Sequence, residues 1–319
     1  MKGKYLYGVI KRDKNHSLNL DGLTTIVYQS LAAVVEEKEV KDYHKLPKEE
    51  TVRELIAHQQ MIEKIMSETS ILPVQFGTIL KDEEEVKSVL EKGYFFLRNT
   101  LRDIEDKIEL DLVCFWNEAK AAQMTYQKSK KVRNLQGKIT KKGKITSEDK
   151  IALGKLVADY LSEKREKLRD QILKRLKKEA VETCSHTLAD VNMLLNQAFL
   201  VERGKEEAFN HTLNQLDSKF ANLLNFRLVG PLPPYSFATL LVDSLDEKEV
   251  EKARETLKLN GQLNMERLKQ TYDKLAMKLH PDKGGTPLEF ELVTTAYKTV
   301  KNFIENGLMT ISLYKWKEH

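Results

Sequence analysis

His280-Pro281-Asp282 stands between two stretches of helical periodicity, Arg267 to Leu279 and Phe290 to Ile304. An imidazole, a ring that fixes the backbone and a carboxylate in succession suit a contact loop between helices. The same three residues also suit a plain helix end, with His280 as C-cap and Asp282 in the turn. The other chemistry-bearing residues are scattered. His58 falls beside Glu54 and Ile62 on a helical pattern from Glu49 to Ser67, which fits a boundary histidine better than a base. His186 lies close to Cys184, but two possible ligands without a second pair do not make a zinc site. Asp82-Glu83-Glu84-Glu85 lacks the spacing of a calcium loop and suits a helix N-terminus, where acids interact favourably with the dipole. Lys141-Lys142-Gly143-Lys144 resembles a phosphate loop only superficially, and GxGxxG, P-loop and GxSxG patterns are missing from the sequence. The expectation is therefore no catalytic constellation, no metal, no cofactor and no enzymatic activity.

The elements that must position these residues follow from composition and periodicity. A chain of 319 residues, 41% hydrophobic and 32% charged, buries sizeable cores and divides into about two domains. Its first residues enter a strand pattern directly, so a secretory signal is not expected. No apolar run approaches the ~20 residues that span a bilayer. Cys114 and Cys184 are far apart and expected to be reduced, which makes the cytoplasm the expected compartment. The net charge of +5 is unevenly placed, with Lys128, Lys130, Lys131, Arg133, Lys138, Lys141, Lys142 and Lys144 preceding Glu148. That block, 120–150, reads as a flexible, solvated linker. It lacks aromatics for base stacking apart from Tyr126, so nucleic acid is not the expected partner.

Lys4 to Ile10, Leu23 to Tyr28 and Ser30 to Glu37 read as strands, with a turn at Asn19 to Gly22. Pro47 opens a helical pattern, with Val52, Leu55, Ile56, Ile62, Ile65 and Met66 recurring at helical spacing through Ser67. Ile71 to Leu80 is apolar but interrupted by Pro73 and Gly77, and Asp82 caps one helix running to about Lys107. Ile108 to Trp116 closes this first α+β domain, 1–119, as a strand. A second α+β domain, 151–246, starts with a long helix capped by Ser147 and continued to about Lys178. It adds a strand over Asp190 to Glu202, a helix over Lys205 to Leu223 and a strand over Leu224 to Val229. Gly230-Pro231-Leu232-Pro233-Pro234 is then an extended, stiff loop; Tyr235 and Phe237 either anchor a partner there or, as expected here, pack into their own domain.

In the C-terminal region, 248–306, Leu268, Tyr272, Leu275 and Leu279 form one apolar stripe, and Arg267, Lys274 and Lys278 a cationic one roughly opposite. Pro281 ends the helix and Gly284-Gly285 permits a sharp reversal. Phe290, Val293, Tyr297, Val300 and Ile304 then face back, giving a helical hairpin, with a shorter helix over Val250 to Leu259 as a third face. This pattern resembles a J-domain, the module that presents His-Pro-Asp to a DnaK-type ATPase chaperone. The resemblance implies that His280, Pro281 and Asp282 make that contact and that Arg267, Lys274 and Lys278 steer it. Arg254 departs from the family, where an aromatic residue is common, as does Thr286, where Asp or Asn often follows the glycines.

Four segments in order along residues 1–245 resemble the gas vesicle protein F/L family. They are YLYGV at Tyr5, LPVQFGTIL with Leu72, Pro73, Phe76 and Gly77, NQAFLV at Asn196, and GPLPPYSF with Gly230, Pro231, Pro233, Pro234, Tyr235 and Phe237. The resemblance implies two α+β domains, the first related to the ferredoxin-like fold, followed here by a small all-α module. It also implies contact with the very hydrophobic shell protein and with other gas vesicle assembly proteins. The expected function is a cytoplasmic, gas-vesicle-associated assembly factor that keeps the shell protein from aggregating and recruits a DnaK-type chaperone. The alternative is a minor structural component with an inactive J-like module. The tail, 307–319, carries an apolar-aromatic pattern with no functional account.

Overall fold

The computed structural model describes residues 2–13, 20, 22–41, 43–245, 247–261 and 263–315; the turn expected at Asn19 to Gly22 lies partly outside them. The chain divides into two compact units. One takes Met1–Ile62, Pro73–Thr100 and Leu240–Leu313, the other Glu63–Leu72, Leu101–Thr239 and Tyr314–His319.

The first unit opens with strands β1 (Lys2–Lys11), β2 (Thr24–Tyr28) and β3 (Leu31–Glu39), whose β-branched and aromatic residues suit a pleated sheet. β3 pairs antiparallel with both β1 and β2. Helix α1 (Lys48–Glu68) follows, then short strands β4 (Ile71–Pro73) and β5 (Ile79–Leu80), giving the order β2–β3–β1–β4 with β5 also on β1. The helix expected from this spacing is present as α1, but only half of its apolar residues face the core. Ile62, Ile65 and Met66 are buried, but Val52, Leu55 and Ile56 are 46%, 44% and 49% exposed. The helix expected from Asp82 is two, α2 (Glu83–Lys92) and α3 (Tyr94–Ile104), parted at Gly93. Asp82 does cap the first, accepting from the Glu85 N–H at 3.0 Å.

The strand expected at Ile108 to Trp116 is present as β6 (Lys107–Trp116), but it belongs to the other unit. The boundary at 119 is therefore corrected: β6 is a central strand of the second sheet, whose other strands come from later in the chain. Strand periodicity shows that a segment is extended and half-buried, and not which strands it will join. The flexible linker at 120–150 is also corrected. Residues Glu118–Lys128 form α4 and Lys130–Lys141 form α5. Asn117 and Ser129 cap them. Ala121 and Thr125 on α4, and Val132 and Ile139 on α5, are buried, so the lysines occupy the outer face of ordered helices. Both helices pack on α6 (Ser147–Leu176), whose cap is Thr146, not Ser147, in a reciprocal capping box with Asp149.

The remaining sheet strands are β7 (Glu182–Ser185), which periodicity missed, β8 (Met193–Glu202) and, after helix α7 (Glu206–Lys219), β9 (Leu224–Leu232). The sheet order is β7–β8–β6–β9, with β6–β8, β6–β9 and β7–β8 all antiparallel. β9 runs on through Gly230 and Pro231, so the first part of the expected stiff loop is strand.

Beyond it, β10 (Thr239–Ser244) leads into α8 (Glu247–Thr256), α9 (Met265–Leu279) and α10 (Pro287–Asn306), and β11 (Met309–Tyr314) returns to pair with β10. The three helices enclose a core of their own, built on Leu257, Leu268, Val293 and Val300. The apolar tail thus has a structural role. β11 brings the two ends of the helical module together, and the Leu245 N–H donates to the Leu308 carbonyl at 2.7 Å. The architecture is a mixed α+β fold with a C-terminal all-α portion. No described helix is long and apolar enough to cross a membrane.

Candidate functional site

The hairpin tip is built by local chemistry. Asn264 caps α9 and accepts from the Arg267 N–H at 2.9 Å. Leu268 is buried, while Tyr272, Leu275 and Leu279 pack on the same core, and the Tyr272 and Tyr297 rings stack with centroids 4.3 Å apart. α9 stops at His280, whose extended backbone (φ −63°, ψ 134°) is what a residue before proline prefers. Gly284 takes a left-handed φ of +93°. A Cβ on Gly285 would lie 2.0 Å from the Leu279 carbonyl oxygen, so only glycine fits there. Thr286 and Glu289 form a capping box that starts α10.

His280 is half-buried, with its ring edge-on to Phe290 at 5.2 Å, and its Nδ1 accepts from the Asp282 N–H at 3.2 Å. Pro281 and Asp282 are exposed, as are Arg267, Lys274 and Lys278 on α9. The expected contact residues are thus gathered on one hairpin, presented outward and held by backbone geometry. Thr286 supplies the cap that an Asp or Asn would give, and Arg254 pairs with Glu251 at 3.1 Å.

The LPVQFG motif serves a different purpose. Leu72 and Pro73 are buried in β4. Phe76 and Gly77 meet a cluster of rings from β1, Tyr43 and α1. Gly77 has φ +86°, and a Cβ there would press on the Tyr43 ring at 3.2 Å. His58 lies inside the cluster, 4% exposed. Its Nδ1 is 2.8 Å from the Tyr5 hydroxyl, which also receives the Gly77 N–H at 3.3 Å. Burial pushes the His58 imidazole down to about 4, against the smaller opposing effect of its bond to the Val74 backbone. His58 is a neutral core residue, not the boundary histidine expected. Burial, and then the bond to Glu36, also hold the Tyr7 phenol well above its ordinary range.

GPLPPYSF forms a strap on the second unit. Gly230 has φ +143°, and a Cβ there would lie 2.9 Å from the Glu109 carbonyl oxygen and 2.8 Å from Leu110. It sits where the β6–β9 register slips between Glu109 and Asp111. The Gly230-Pro231 peptide is cis, and Pro233 and Pro234 are buried while Pro231 is exposed. Phe237 packs with Cys184, Ala198 and Leu200, and the Tyr235 hydroxyl is shielded without a hydrogen-bond partner among the described residues. The Phe237 ring therefore packs into its own unit, as expected.

Sequence reasoning missed what this strap delivers. Ser236 donates its N–H and its hydroxyl to the two carboxylate oxygens of Glu109, at 2.8 and 2.6 Å. The same hydroxyl lies 3.2 Å from His186 Nε2. Glu109 is 1% exposed, and burial, then the charge of Asp111, raise its carboxyl well above the ordinary range. Asp111 is raised too, chiefly by burial, so the pair favours sharing a proton.

The chain is similar along most of its length to proteins of known name. Gas vesicle protein F of a Streptomyces species is 29% identical over 185 residues, covering 58% of this chain and 77% of that protein. Gas vesicle protein F of a Nostoc species is 27% identical over 248 residues, covering 75% and 98%. The crystal structure of GvpF from Anabaena sp. PCC7120 superposes with a TM-score of 0.61 at 23% identity, covering 74% of this chain and 98% of that one. GvpF from Microcystis aeruginosa gives 0.56 at 19%, covering 73% and 98%. At those identities the likeness of structure is one of fold. Residues 3–239 match the family described as gas vesicle synthesis protein GvpL/GvpF, and the chain belongs to that family.

Proposed function

We propose that this protein is a gas vesicle assembly factor that holds the hydrophobic shell protein and recruits a DnaK-type ATPase to it. One observation carries the reading: beyond the family region, which ends at residue 239, lies a helical module with its own core and His280-Pro281-Asp282 at its tip. The GvpF-like portion supplies the connection to vesicle components, since the named relatives are gas vesicle proteins. The helical module supplies the connection to the chaperone. Arg267, Lys274 and Lys278 are exposed on α9, where they can steer toward an acidic surface, and the two Asp282–His280 contacts hold the loop in one shape.

In this reading the shell protein and other gas vesicle assembly proteins are the clients, in the cytoplasm at the growing vesicle. The protein itself performs no chemistry; it couples the partner's ATP hydrolysis to handling of an aggregation-prone client. Vesicle yield in a strain carrying His280→Gln tests this. Reduced yield with aggregated shell protein is expected, and undiminished vesicles would remove the coupling and leave a structural component with an inactive tip.

A further inference from the structure

We propose that Glu109 and Asp111 on β6, with His186 just beyond β7, bind a divalent transition-metal ion. One ligand atom from each residue lies within 4.8 Å of the other two. The three side chains share one face of the sheet. Asp111 and Cys184 both stand opposite Ala198 on β8, and the His186 N–H donates to the carbonyl of Asn196, two residues away on that strand. Ala198, between them on β8, carries only a methyl group.

A second, independent observation points to a ligand. Asp111 Oδ1 is shielded from solvent yet has no hydrogen-bond partner among the described residues. A cation at that atom would supply the partner it lacks. Ser236 closes the site from above, with its hydroxyl between Glu109 and His186. The donors also select the ion. Two carboxylates and one imidazole suit zinc, manganese or ferrous iron, whereas calcium and magnesium take all-oxygen sets and copper(I) takes sulfur. Bound there, the ion would join β6 to β7 across β8 and hold the strap's anchor residue in place.

The test uses the full chain, stripped with a chelator and titrated with zinc chloride by calorimetry. About one equivalent is expected to bind with a dissociation constant in the micromolar range or tighter, weakened at least about tenfold by Asp111→Asn and by His186→Gln. His211→Gln, at an exposed histidine on α7, should leave binding unchanged. Binding absent up to about 1 mM, or unaltered by the first two substitutions, would overturn the site and leave a proton-sharing carboxyl pair. Cobalt(II) on the unsubstituted chain guards against misfolded variants. Visible bands of nitrogen and oxygen coordination are expected, and a sulfur charge-transfer band would overturn the assignment in favour of Cys184.

Discussion

Ser236 hydrogen-bonds both carboxylate oxygens of Glu109, a residue 127 positions earlier in the chain, through its backbone N–H and its hydroxyl. This is what the proline-rich motif achieves: Gly230 lets β9 approach the β6 bulge, and the strap then places one serine on one buried acid.

Ser236→Ala removes the hydroxyl but keeps the backbone bond. The expected loss is about 1–3 kcal/mol, because a buried oxygen of Glu109 is left without a donor. Glu109→Gln, which keeps the shape and needs no shared proton, should lose less. Urea unfolding of the two variants side by side checks the order.

Gly285→Ala and Gly284→Ala should differ sharply. At Gly285 the added carbon meets the Leu279 carbonyl at 2.0 Å, so the tip must rearrange; at Gly284 nothing lies within 4 Å and only the left-handed φ opposes it. The Gly284 variant is expected to lose about 1–2 kcal/mol, and the Gly285 variant clearly more. Thermal melts and amide exchange at the tip distinguish them.

His58 predicts acid sensitivity. Its ordinary value is 6.5 and its folded value is about 4, so between these the unfolded chain binds a proton that the folded chain does not. Stability from this residue is complete above 6.5 and falls as pH drops toward 4. Between about pH 7.5 and pH 5 the wild type should lose roughly 2 kcal/mol through this residue. His58→Gln, though less stable at neutral pH, should show a flatter profile in urea titrations across that window.

If Arg267, Lys274 and Lys278 steer a partner, Lys274→Glu and Lys278→Glu should slow association with the DnaK-type chaperone. Each exposed charge is worth less than about 1 kcal/mol. The difference from wild type should shrink at about 0.5 M salt, where the Debye length is a few ångströms. Stopped-flow association at two salt concentrations reads this directly.

Much of the secondary structure was legible because it rests on local periodicity. The alternation of Lys4 to Ile10 and the stripe from Leu268 to Leu279 became β1 and α9. Partnership was not legible: β6 looks like the last strand of the first domain, and only the folded sheet shows it between β8 and β9. In the basic block, charge masked the pattern of Val132, Leu135 and Ile139, which lies at helical spacing. The second site was hidden for the same reason. Glu109 and Asp111 alternate with apolar neighbours and resemble the wet face of an ordinary strand, while His186 and Ser236 are joined to them by no spacing rule. The hairpin tip, by contrast, was written in contiguous residues.

Whether the C-terminal module drives a chaperone is read most directly from single-turnover ATP hydrolysis by the host's DnaK-type ATPase, with this protein and with its His280→Gln variant. Acceleration by the wild type that disappears in the variant is expected. Equal, unaccelerated rates with both proteins would contradict the coupling of this module to a chaperone.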